Sequence, residues 1–113
     1  MTEDNNDKEV VDIFRAASNN DIDELRAALL EGQTLNDVNR EFYRMTPMHI
    51  ACLKKSRDFL EAALREDFNP HQRDANGRTA MDHAIAQDMR DVASKIFDRQ
   101  YPRDANGRIV MPY

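Results

Sequence analysis

Short amphipathic stretches recur along the chain, each with small or apolar residues at helical spacing and charge between them. The clearest is Ile22-Asp23-Glu24-Leu25-Arg26-Ala27-Ala28-Leu29-Leu30, in which Leu25, Ala28 and Leu29 share one helical face. Phe59-Leu60-Glu61-Ala62-Ala63-Leu64 and Val92-Ala93-Ser94-Lys95-Ile96-Phe97 have the same character. A second short segment precedes each. It contains Ala16-Ala17 in the first case, Thr46-Pro47-Met48-His49-Ile50-Ala51 in the second and Thr79-Ala80-Met81-Asp82-His83-Ala84 in the third. The last two lie 33 residues apart, so the pattern predicts a tandem array of three units, each of two short helices.

Signals at the element ends agree with this reading. Thr46 is placed to cap a helix whose first position is Pro47, where the missing N–H costs nothing. Asp21 stands three residues before Glu24, a spacing like that of a capping box. Asp74-Ala75-Asn76-Gly77-Arg78 recurs letter for letter as Asp104-Ala105-Asn106-Gly107-Arg108, and its Asp, Asn and Gly are the residues of a tight turn. From Ala16 to Ala51 the spacing is 35 residues, so the first connection is longer by two, and it contains Glu41-Phe42-Tyr43-Arg44-Met45.

These residues resemble the ankyrin repeat. Thr46-Pro47-Met48-His49-Ile50-Ala51 is similar to the family's Thr-Pro-Leu-His-x-Ala signature, and Asp74-x-Asn76-Gly77-Arg78-Thr79 is similar to its β-turn and next helix start. The third unit keeps Thr79, Met81 and Ala84 but has Ala80 for Pro and Asp82 for His. The first lacks the signature and has Val11-Asp12-Ile13-Phe14 instead, as an amino-terminal cap would. The family's inter-helix Gly is replaced by Asn20, Lys55 and Asp88, of which Lys tolerates left-handed backbone least.

The resemblance spans roughly residues 11–108 and implies an all-α fold, an ankyrin-repeat solenoid of stacked helix-turn-helix units with short β-turn connections. The expected organisation is an acidic, flexible amino-terminus (1–10), three repeats (about 11–45, 46–78 and 79–100) and a carboxy-terminal turn with a capping tail (101–113).

Composition fits such an array. Leu, Ile, Val and Phe number 23 while Ala alone contributes 13, and small side chains let helix pairs stack closely without one large core. Three Gly, four Pro and 33% charged residues argue against a many-turned β architecture. A net charge of −5 gives no basic field to attract nucleic acid, although twelve Arg to four Lys favours contact surfaces. The single Cys52 permits no internal disulfide, which points to a reducing, cytoplasmic setting. The acidic start is unlike a signal peptide, and apolar runs stop at four residues, as in Ala27–Leu30, so no membrane partner is expected. Met1 and the short tail fit a complete chain.

The resemblance also implies that partners bind the concave surface made by turns and first helices. The positions that fall there are Phe42, Tyr43, Arg44 and Met45 in the first turn, with Leu53 and Lys54 at the end of the following helix. In the next unit they are Ala75, Asn76, Arg78, Ala86 and Gln87. Aromatic residues and Arg are favoured interface anchors. The alternative for Phe42 and Tyr43 is a lid folded over the first unit. Arg73, Arg78, Arg103 and Arg108 make either a basic edge or local pairs, and Ile109-Val110-Met111-Pro112-Tyr113 is expected to cover the last unit.

Chemistry has few candidates: His49, His71, His83 and Cys52. His49 and Cys52 lie three apart on one helix without a second ligand pair, so no metal or cofactor is expected. In the resembling family His49 bonds turn backbone, and Cys52 holds a small core position. Phosphate loops and paired catalytic carboxylates are missing from the sequence, and the adjacent Asp82 and His83 read as fold. The sequence therefore points to a non-enzymatic module that binds another protein and no small-molecule substrate. The alternative is an inhibitor or immunity protein that occludes a basic, nuclease-like enzyme.

Overall fold

A computed structural model describes residues 10–101, 106 and 107. Among them are six helices and no strand beyond one isolated bridge: α1 (Ile13–Asn19), α2 (Ile22–Leu30), α3 (Pro47–Lys54), α4 (Arg57–Ala63), α5 (Ala80–Ala86) and α6 (Arg90–Gln100). Turns of two or three residues join α1 to α2, α3 to α4 and α5 to α6. The first helices α1, α3 and α5 pack on one another as the spine, with α2 against α4 behind them. None of these helices is long and apolar enough to cross a membrane.

Local chemistry fixes the helix starts. Thr46 accepts from the His49 amide while His49 reaches back to the Thr46 amide, and Thr79 with Asp82 does the same one unit later. These are complete capping boxes, closed by His in one case and Asp in the other. Asp21 accepts from the Glu24 amide at 3.1 Å, but the expected reciprocal bond does not form. The Glu24 carboxylate turns instead to the Asp12 amide at 3.0 Å and to Arg15, tying α2 to the start of α1. Gln33 adds a second tie, bonding Ile13 N and Val11 O at 2.8 Å each.

The inter-helix positions Asn20, Lys55 and Asp88 all take left-handed backbone, at φ 57°, 57° and 60°. Lys55 does so despite being the least suited residue. Its amide closes α3 on Ala51 O and Cys52 O, and the neighbouring Ser56 hydroxyl donates to Ala17 O at 2.6 Å. A buried bond between units thus sets the turn against the local preference of the side chain.

Small residues carry the spine. Ala16, Ala17, Ala51, Cys52 and Ala84 are fully buried, while Leu25, Phe59, Leu60 and Ile96 fill the space behind them. Burial of each large side chain contributes roughly 1.5–3 kcal/mol. Met48 is buried between neighbouring pairs, whereas its counterpart Met81 is only partly covered, with α3 packed on one side of α5.

Candidate protein-binding surface

The long first connection folds into a finger. Asn39 N donates to Met45 O at 2.9 Å, Phe42 N to Asn39 O at 3.1 Å and Met45 N to Phe42 O at 3.1 Å. Tyr43 and Arg44 occupy the two central positions of the last turn, both at φ 55°. Positive φ at both positions is the type I′ arrangement, which favours Asn-Gly; for L residues with bulky side chains it costs roughly 1–2 kcal/mol each. The rings of Phe42 and Tyr43 meet edge to face at 5.2 Å.

The finger divides the sequence-derived patch. Tyr43 is 58% exposed and Arg44 is exposed beside it. Phe42 is half-buried and packs against the core, so its ring serves as a cover for the first unit while Tyr43 projects. Met45 does not belong to the surface at all. It is 4% exposed, because the bridge to Asn39 closes the base of the finger and turns Met45 inward just before the buried cap Thr46.

Between α1, α3 and this finger runs a groove of about 350 Å³, with Phe14, Phe42 and Ile50 as apolar lining and Asp12, Arg15, Ser18, Asn39 and Lys54 as polar and charged lining. Sequence reasoning placed Phe42 and Lys54 here but missed Asp12, Phe14, Arg15, Ser18, Asn39 and Ile50. The signal was available: Phe14 and Ser18 are four apart on α1, as are Ile50 and Lys54 on α3, so each pair makes one helical row. Leu53 is half-buried in the packing, and Gln87 is half-buried at the end of α5; neither lines the groove.

A second finger stands beside the first. Asp74 Oδ1 accepts from the Asn76 and Arg78 amides at 2.9 and 3.0 Å, Gly77 takes φ 78°, and Asn76 and Arg78 are exposed. The fingers are joined at their tips, where Ala75 N donates to Tyr43 O at 2.7 Å. Arg73 reaches Gly77 O at 2.7 Å and so braces its own turn; Arg103, Arg108 and the tail Ile109–Tyr113 lie outside the described residues.

Buried polar groups fix both fingers to the helices. The Thr46 amide, which can only donate, points at His49 Nδ1 at 3.1 Å, so the ring carries its proton on Nε2 and donates it to Arg78 O at 2.8 Å. Burial holds His49 below its ordinary range, against the opposing pull of the Arg78 carbonyl. One residue pairing escaped the sequence: His83 bonds not its neighbour Asp82 but the buried Asp74, Nε2 to Oδ2 at 2.8 Å. Burial disfavours the Asp74 charge, yet the bonds from His83 and the Arg78 and Asn76 amides outweigh it and keep the carboxyl below the usual range. The His49 and His83 rings touch edge to face at 5.6 Å.

Cys52 is fully buried, and that burial pushes its thiol up to about 12. Among the described residues no group of three or more His, Cys, Asp or Glu is arranged to hold a metal ion. The arrangement offers a rigid, partly apolar recess beside two projecting fingers, and its polar machinery is committed to holding them.

A family model of ankyrin repeats, in three copies, matches residues 13–106, and the chain belongs to the ankyrin-repeat family. Members of the family are generally protein-protein interaction modules and typically non-enzymatic. A comparison with curated proteins returns no match.

Proposed function

We propose that this chain is a non-enzymatic adaptor that binds a partner protein in the groove between α1, α3 and the first finger, with Tyr43 and Arg44 as its anchors. One observation carries the reading. Two consecutive residues with large side chains occupy left-handed backbone where Asn-Gly would be unstrained, and the result is an exposed Tyr and an exposed Arg next in the chain to Phe42, which lines the groove. Strain of this kind persists where the surrounding structure over-determines it and a surface has a use for it. Interface energy concentrates in aromatic and Arg side chains of this kind.

The partner is expected to be lost from a pull-down with Tyr43→Ala/Arg44→Ala while the melting temperature of the variant stays at or above that of the wild type. Partners retained equally by both proteins, or a melting temperature lowered by several degrees with binding intact, would assign the finger a purely structural role.

A further inference from the structure

Asn76 and Asn106 are followed by glycine. In such a pair the backbone nitrogen of the glycine, unshielded by a Cβ, is able to attack the preceding carboxamide, and asparagine counts among the thermolabile residues. Asn76 is exposed at the tip of the second finger, and its carboxamide makes no hydrogen bond among the described residues. Asn20, Asn36, Asn39 and Asn69 differ, each holding a backbone amide through Oδ1. Asn69 is also followed by Pro70, which has no N–H to become a nucleophile. A Cβ at Gly77 would meet nothing within 4 Å, so no neighbour crowds the two reacting groups.

The nucleophile is nevertheless held. Gly77 N donates to Asp74 O at 3.0 Å, and an amide engaged in that bond is poorly placed to lose its proton and attack. Asp74 is itself fastened: its N donates to Arg78 O at 2.9 Å, Oδ1 accepts from the Asn76 and Arg78 amides, and Oδ2 accepts from His83 on α5. Attack therefore waits for the finger to open. The buried pairing of Asp74 with His83, the side-chain bond that ties this turn to a helix, sets how often it does.

We propose that Asn76 is a modification site, a site of slow deamidation gated by the pairing of Asp74 with His83. Gly77 N bonds to Asn76 Cγ, the Cγ–Nδ2 bond breaks, and Nδ2 leaves as ammonia with the proton from Gly77 N. Water then adds to one carbonyl of the cyclic imide and opens its C–N bond, leaving aspartate or isoaspartate at position 76. The step needs water alone and no oxidant or reductant. Isoaspartate carries the chain through its side-chain carbon, which inserts one extra backbone atom before Gly77. The spacing that lets Asp74 hold the amides of residues 76, 77 and 78 together is then lost, so the opening is one-way. Because Ala75 N donates to Tyr43 O at 2.7 Å, an open second finger also withdraws a brace from the first. The proposal does not depend on what the fingers bind.

The test ages the full chain at mildly alkaline pH and digests it with a lysine-specific protease, which cuts after Lys55 and Lys95 and so separates Asn76 from Asn106. Fragment masses are expected to place the exchange of amide for acid at Asn76 and not at Asn69. The rate should be about tenfold or more below that of a synthetic peptide of residues 70–82, which has no fold to hold it. His83→Ala should speed the reaction several-fold. Hydrogen exchange at the Gly77 amide of the unmodified wild type measures the same opening without any substitution, and its protection should match the slowing of deamidation. Modification of other asparagines with Asn76 intact would overturn the site. A rate at Asn76 equal to that of the peptide, or slowing unrelated to the Gly77 protection, would overturn the gate. Isoaspartate product that keeps the Gly77 protection of the unmodified chain would overturn the one-way opening.

Discussion

Replacing Arg44 with Gly should make the protein more stable and a weaker binder. Arg44 sits at φ 55°, and left-handed backbone costs an L residue roughly 1–2 kcal/mol relative to its preferred conformations. Glycine removes that cost but regains about 0.5–1 kcal/mol of freedom in the unfolded chain, so the net stabilisation is about 0.5–1 kcal/mol. For a domain of this size that corresponds to a rise of about 2–4 °C in melting temperature. The side chain itself should cost nothing to remove, since Arg44 is exposed and its guanidinium makes no bond among the described residues. Thermal and urea unfolding followed by far-ultraviolet circular dichroism measure the gain. Lys55→Gly is the control: its backbone has φ 57° at the carboxyl end of α3, and Lys55 does not line the groove, so stability should rise similarly with binding unchanged. A fall in melting temperature for Arg44→Gly would refute the strain, and gains in both stability and binding would refute the trade between them.

Further outcomes follow from the buried polar groups. Asp74→Ala should destabilise the protein by about 2–4 kcal/mol, read as a lower urea midpoint, because it strands buried His83 and two turn amides. His49 lies below its ordinary range when folded, so the unfolded chain takes up its proton first; stability should be full above about pH 6.5, fall as pH is lowered below that, and fall less steeply in His49→Gln. Asp74 adds a second loss below about pH 3.8, where the unfolded carboxylate protonates before the folded one. The Cys52 thiol at about 12, against an unperturbed 9.0, has a thiolate fraction lowered about a thousandfold, so alkylation at pH 8 should proceed only through unfolding and track the population of the unfolded state.

The helix array was legible in the sequence because its signals are local. Thr46-Pro47, Thr79 and Asp74-Ala75-Asn76-Gly77 each fix a cap or turn within a few residues, and the repeat multiplies the signal. What escaped depends on contacts between distant segments. Nothing near Gln33 marks it as the partner of Ile13, twenty residues away, and Lys55 takes a conformation poor for its own side chain because Ser56 is anchored to Ala17. His83 chooses Asp74 over adjacent Asp82 because Asp82 is already closing the Thr79 capping box, a competition visible only once both are in place. At the surface, the run Phe42-Tyr43-Arg44-Met45 reads in the sequence as one patch. The turn sorts it residue by residue, sending Tyr43 and Arg44 out, Phe42 across the groove and Met45 into the core.

The central claim, that binding happens on the fingers and the first-helix groove, is tested most directly by amide chemical-shift mapping of the isotope-labelled chain titrated with a partner protein recovered in the pull-down. The account predicts shifts concentrated at Phe14, Ser18, Phe42, Tyr43, Arg44, Ile50 and Lys54, which face or flank the groove, with little change along α2, α4 and α6. Shifts confined to those second helices would contradict it.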